Sequence, residues 1–255
     1  MDDLAQVLER VSAKKARLDA LRPLSPSVLN RLREQFEVEW TYHSNAIEGS
    51  TLTLRETQLV LQHGLTVGGK SLREHLEAIN HQHAIRFVET LAGSDEPITK
   101  HTLRSIHALV LRTIDDEEAG RYRRGQVRIT GSEYLPPEPI AVPGLMAELV
   151  AWLNAEETAS LHPVVRAALA HFRLVHIHPF TDGNGRTARL LMNLILMREG
   201  YPPAIIRVED RPVYYDALDA AHAGDPDPFI RLVAEATERS LDTWLAAAGE
   251  PASPR

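Results

Sequence analysis

The chain has 255 residues, 44% of them hydrophobic and 25% charged, enough to bury one sizeable core. Its formal charge of −7 gives no electrostatic reason to bind nucleic acid, whose phosphates favour basic surfaces. With no cysteine it has neither disulfides nor thiolate metal sites. No signal-like apolar run and no span of about 20 apolar residues is seen, so a cytoplasmic protein with no membrane partner is expected.

Helical signals dominate in chain order. Apolar residues at Leu4, Val7, Leu8, Val11 and Leu18 predict an amphipathic helix over 3–20. Arg22-Pro23 breaks it. Ser25-Pro26, a cap followed by proline at the first helical position, opens a second helix through Leu29, Leu32, Phe36 and Trp40 towards Asn45. Two capping boxes, Thr53 with Glu56 and Ser71 with Glu74, start the next two, with a loop at 64–69 between them. Further helices are predicted at about 100–111, 143–155 and 163–175. Residues 115–139 are rich in Gly, Pro and charge. There Gln126 to Thr130 alternates as a strand does and Gly131 offers a turn, predicting a short exposed β-hairpin and then an irregular arm. Arg121, Arg123 and Arg124 read as a solvated basic loop. Helices at about 184–199, 211–222 and 228–248 close the series. The fold class is therefore mainly α with one hairpin. Its organisation is N-terminal helices over 1–95, a core over 96–248 and a disordered tail over 249–255.

The most informative stretch is His178 to Arg189, HPFTDGNGRTAR. Pro179 disfavours helical dihedrals at His178, so a helix must end there, leaving an imidazole suited to general-base work at a corner. Phe180 is expected to bury its ring and fix the loop. Asp182 offers hard oxygens suited to Mg²⁺ shared with substrate phosphates. Gly183-Asn184-Gly185 lets backbone N–H groups line a concavity, with Asn184 capping the next helix, whose N-terminus favours anions. Arg186 and Arg189 are three apart, on one helical face, and can grip phosphate oxygens. No P-loop lysine motif occurs. His171 and His176 are five apart and poorly aligned for a metal, so a core or surface role is expected for them.

This dodecamer resembles the full signature of the Fic-domain family, and the similarity extends from about Thr41 to about Thr243, nearest to the family's animal endoplasmic-reticulum branch. The resemblance implies a Fic-fold helical bundle with a short β-hairpin flap, and transfer of AMP from ATP, with Mg²⁺, to a Ser, Thr or Tyr hydroxyl of a target protein. His178 would deprotonate that hydroxyl and Asp182 would hold the cation. Gly183, Asn184 and Gly185 would form the anion hole with Arg186 beside it, and Arg189 would hold the γ-phosphate. Tyr215, Leu218 and His222 fall where the family lines the adenine pocket, with His222 standing where an Asn is usual. By the same resemblance Val127, Arg128, Ile129 and Thr130 would form the flap that clamps the target by strand addition.

Ser44 to Gly49, SNAIEG, resembles the family's inhibitory sequence at the end of a helix over about 26–48. That likeness sets Glu48 against Arg189, where it keeps the γ-phosphate from seating. Leu72 lies where an animal relative dimerises; it is either an exposed homodimer anchor or packs within its own helix. Two other functions stay open: an AMP-removing hydrolase in which Glu48 positions water, and a catalytically silent nucleotide-sensing interaction module.

Overall fold

The computed structural model describes residues 3–129 and 132–249. The predicted tail falls almost wholly outside them, as do Thr130 and Gly131. Eleven α-helices are present among the described residues: α1 Leu4–Ala20, α2 Pro26–Ile47, α3 Leu54–His63, α4 Leu72–Ala92, α5 Lys100–Leu111, α6 Val142–Leu153, α7 Glu156–Ala159, α8 Pro163–Ile177, α9 Asn184–Arg198, α10 Arg211–His222 and α11 Asp227–Ala247. Short 3₁₀ turns precede α6 and α10.

Local chemistry explains the boundaries. Thr53 and Ser71 accept the backbone N–H of Glu56 and Glu74, whose carboxylates reach back to the caps. Gly64 closes α3 in the left-handed conformation, and Gly49 follows the end of α2 at φ 104°. The four-residue α7 carries too little pattern to be legible in sequence.

Helix α9 is the centre of the molecule. From Arg186 to Leu196 every residue is buried, because α8 covers one side, α4 and α5 another, and α2 a third. Helix α1 packs on α11, which packs in turn on α8 and α10. Leu190, Leu191, Leu194 and Leu196 are fully buried, each removing side-chain surface worth about 1.5–3 kcal/mol. This anchoring fixes the N-terminus of α9 against the loop that precedes it.

The expected β-hairpin is not formed among the described residues, which contain no strand. Residues 121–129 and 132–138 run as irregular segments of an arm. Gln126 Nε2 donates to the Pro136 carbonyl and Arg123 to the Pro137 carbonyl, so side chains make the bonds that a ladder would make. The physical reason is the return segment: Pro136 and Pro137 have no N–H to donate. Arg123 also departs from the solvated loop expected of it. It is 2% exposed, and its guanidinium bonds the carbonyls of Gly125, Pro137 and His178.

Candidate active site

The loop between α8 and α9 is clamped from several directions. Helix α8 stops at Ile177, and His178 adopts left-handed dihedrals (φ 49°, ψ 58°) rather than the extended ones expected before proline. Such a conformation costs a non-glycine residue about 1–2 kcal/mol. It is held by the His178 N–H bonding to the Leu174 carbonyl at 2.9 Å and by Arg123 Nε bonding to the His178 carbonyl at 2.8 Å. Phe180 is fully buried and stacks on His107 with centroids 3.6 Å apart. His107 accepts from the Gly120 N–H at Nδ1 and donates from Nε2 to the Asp182 carbonyl, both at 2.9 Å, which fixes its tautomer. Burial lowers its pKa to about 4, so it stays neutral. Sequence reasoning missed His107; a histidine on the apolar face of α5 was its only local trace.

Asn184 does not cap α9. The cap position belongs to Gly183, at φ 75°, and Asn184 instead staples the loop, its side chain bonding both the N–H and the carbonyl of Phe180.

His178, Asp182, Gly183 and Gly185 line one cavity of about 470 Å³ with Glu48, Tyr215, Leu218 and His222. Burial pushes the His178 pKa down, and the Arg123 charge adds to this against the upward pull of the Val175 carbonyl, Glu48 and Asp182. Its buried Nδ1 lies near Val175 without a hydrogen bond of good geometry. The imidazole is therefore neutral at pH 7 and able to accept a proton. Burial raises the Asp182 carboxyl, but Arg186, the Gly183 N–H and Arg73 outweigh it and hold the group ionised.

Glu48 caps α2 and reaches the N-terminus of α9. Its Oε1 accepts from Arg189 Nη2 at 2.7 Å, and a Cβ built on Gly185 would run into the same oxygen. The molecule thus places its own carboxylate where a helix N-terminus attracts an anion. Arg189 is 2% exposed and also donates to Ser44 Oγ, the Ser44 carbonyl and Tyr214 Oη. Burial opposes its charge, but Tyr214 and Glu48 outweigh that and raise its pKa.

Arg186 and Arg189, expected to act together, separate. Arg186 turns to Glu77 and Asp182, while Arg189 turns to Glu48, and neither lines the cavity. At the far end Tyr215 and Leu218 line the cavity, together with Arg211 and Tyr214. His222 stacks on Tyr134 at 3.8 Å and shares a 2.9 Å Nδ1–Nδ1 hydrogen bond with His176. Burial and then His176 depress its pKa to about 4. His171 is buried against Tyr214 Oη, in the core role expected of it. Arg128 and Ile129 of the arm face the cavity, Val127 is half-buried, and Thr130 lies outside the described residues. Leu72, 73% exposed, does not pack within its own helix.

The Fic/DOC family profile matches residues 97–196. The structure of Fic-1 (residues 134–508) from C. elegans is 40% identical, covers 96% of this chain and 72% of its own, and superposes with a TM-score of 0.87. The chain belongs to the Fic family. A Fic domain containing signaling protein from Bacteroides thetaiotaomicron is similar too, at 34% identity and TM-score 0.87, covering 94% of this chain and 97% of its own. Among curated relatives, the protein adenylyltransferase Fic of Culex quinquefasciatus is 43% identical over 96% of this chain and 49% of its own length. This Fic chain thus spans about half the length of the curated relatives it matches. Its fold is the mainly helical Fic fold.

Asp182 gives this Fic domain an ionised carboxylate in the cavity, alongside the side chains of Glu48 and Asp219, and no cluster of three or more metal-binding side chains occurs among the described residues. That donor set fits Mg²⁺ shared with a nucleotide's phosphates, since Mg²⁺ keeps few protein ligands there.

Proposed function

We propose that this chain is a protein adenylyltransferase, moving AMP from ATP to a Ser, Thr or Tyr hydroxyl of a target protein, and that Glu48 restrains it. The observation that carries the reading is the Glu48 carboxylate beside Gly185 and bonded to Arg189, in the cavity that His178 and Asp182 line. A carboxylate so placed marks an anion site and fills it. Neutral His178 takes the hydroxyl proton as the oxygen attacks the α-phosphorus. The bond from that phosphorus to the bridging oxygen breaks, and pyrophosphate leaves with the electron pair. The backbone N–H groups at Gly183 to Gly185 hold phosphate oxygens, and Arg189, once Glu48 leaves, takes the γ-phosphate. Asp182 would hold Mg²⁺, which supplies charge neutralisation along the phosphates when bound.

Tyr215, Leu218 and His222 enclose the adenine. The arm bearing Val127, Arg128 and Ile129, with Thr130 after them, acts as the flap; among the described residues the backbone of 127–129 is free of strand pairing and thus open to an extended target segment. Residues 1–95 serve as the regulatory module on the 96–248 core, and exposed Leu72 offers a homodimer contact. One second reading has its own support: Glu48 shares the cavity with His178, so it is placed to orient water for removal of AMP.

The test is mass spectrometry of a lysate incubated with ATP, Mg²⁺ and Glu48→Gly protein. Adenylate adducts that vanish with an added His178→Ala change support transfer. No adduct from Glu48→Gly refutes it. Loss of AMP removal in the same variant supports the second reading.

A further inference from the structure

Four charged side chains form a closed ring that meets the cavity at Asp182. Arg73, in the first turn of α4, donates from Nη2 to Asp182 Oδ2 at 2.7 Å and from Nε to Glu77 Oε1 at 3.1 Å. Arg186 lies 3.3 Å from that same Glu77 oxygen through Nη1 and 3.3 Å from Asp182 Oδ1 through Nη2. Positive and negative groups alternate round the ring, so its net charge is zero.

The two Asp182 oxygens are held unequally. Oδ1 accepts from the Gly183 N–H at 2.6 Å and faces Arg186, whose side chain is 3% exposed and locked at the start of α9. Oδ2 is held by Arg73, whose side chain is 57% exposed and sits on the surface. A divalent cation needs a carboxylate oxygen at about 2.0–2.1 Å, in the space an arginine N–H fills at hydrogen-bond length. Like charge so close also repels the guanidinium. Arg73 and a cation cannot share Oδ2.

We propose that Arg73 is a stand-in for the divalent cation, neutralising Asp182 until the metal displaces it, so that guanidinium and metal compete for one oxygen. The proposal rests on the reading of Asp182 as the cation ligand. Displaced Arg73 keeps Glu77, so the guanidinium stays near Asp182 instead of dispersing into solvent. The competition lowers the metal's apparent affinity by the fraction of molecules in which Oδ2 is free. Because the pair is exposed, the effect is small enough to be reversible. Arg73 is on this argument a positioning residue, acting through Asp182.

The test uses the full chain and Mn²⁺ alone, with binding followed by the relaxation rate of water protons. Arg73→Gln should bind Mn²⁺ about two- to five-fold more tightly than the wild type, the fold-change an exposed ion pair carries. Arg73→Lys, which keeps the charge, should fall between them. Unchanged or weaker binding by Arg73→Gln, while Asp182→Asn loses the site, overturns the proposal alone. Wild-type binding in Asp182→Asn overturns both the proposal and the reading beneath it.

Discussion

Replacing Glu48 by glycine removes one partner of a buried guanidinium, and the structure bounds the result. Arg189 is 2% exposed and the Glu48 side chain 35% exposed, so the pair is only partly desolvated. Stranding a fully buried charge costs about 3–5 kcal/mol. Arg189 is not stranded, because Ser44 Oγ at 3.0 Å, the Ser44 carbonyl at 2.9 Å and Tyr214 Oη at 3.2 Å remain. The expected stability loss is therefore about 1–2 kcal/mol, a fall in Tm of roughly 3–6 °C for a chain this size. Nucleotide responds in the opposite direction. A charge-assisted contact worth about 1.5–3 kcal/mol no longer has to break before phosphate seats, so Mg·ATP should bind about 10- to 150-fold more tightly. Isothermal titration of wild type and variant measures both affinities, and scanning calorimetry without nucleotide measures the stability. Equal ATP affinity in the two proteins would refute the competition, whatever the change in Tm.

The remaining predictions draw on neighbouring residues. The base form of His178 is the neutral one, and burial lowers its pKa below 6.5, so kcat/KM should be full at pH 7 and fall only as pH drops through that lowered value. An acid limb at or above pH 6.5 would count against His178 as the base. His107 titrates at about 4 when folded and near 6.5 when unfolded, so the unfolded chain binds its proton first and stability is lost as pH falls from about 6.5 towards 4. In urea melts His107→Gln should flatten that slope by up to about 1.4 kcal/mol per pH unit, with the other histidines whose pKa burial lowers, among them His81, His171 and His222, contributing to what remains. Gly185→Ala should drive the Glu48 carboxylate out yet fill the same space, lowering Tm without the gain in ATP affinity expected of Glu48→Gly. A matching gain by titration would mean that the phosphates sit elsewhere.

What the sequence by itself determined is whatever depends on neighbours along the chain. The capping boxes at Thr53 and Ser71, the 3.6-residue periodicity and the histidine, carboxylate and glycines of residues 178–189 all lie within a few residues of their partners, so pattern alone exposes them. The Glu48–Arg189 pairing, 141 residues apart, was legible only through resemblance. The alternation at 126–130 suggested a hairpin because it says nothing of whether a return strand has N–H groups to offer. Tertiary structure alone decided that Arg186 and Arg189 part company, that His107 supports Asp182 from 75 residues away, and that Arg73 closes a ring across 109. The reason is physical. Side-chain direction on a helix follows from its period, but the partner it meets depends on how α2, α4, α5 and α9 pack, and no local pattern encodes that distance.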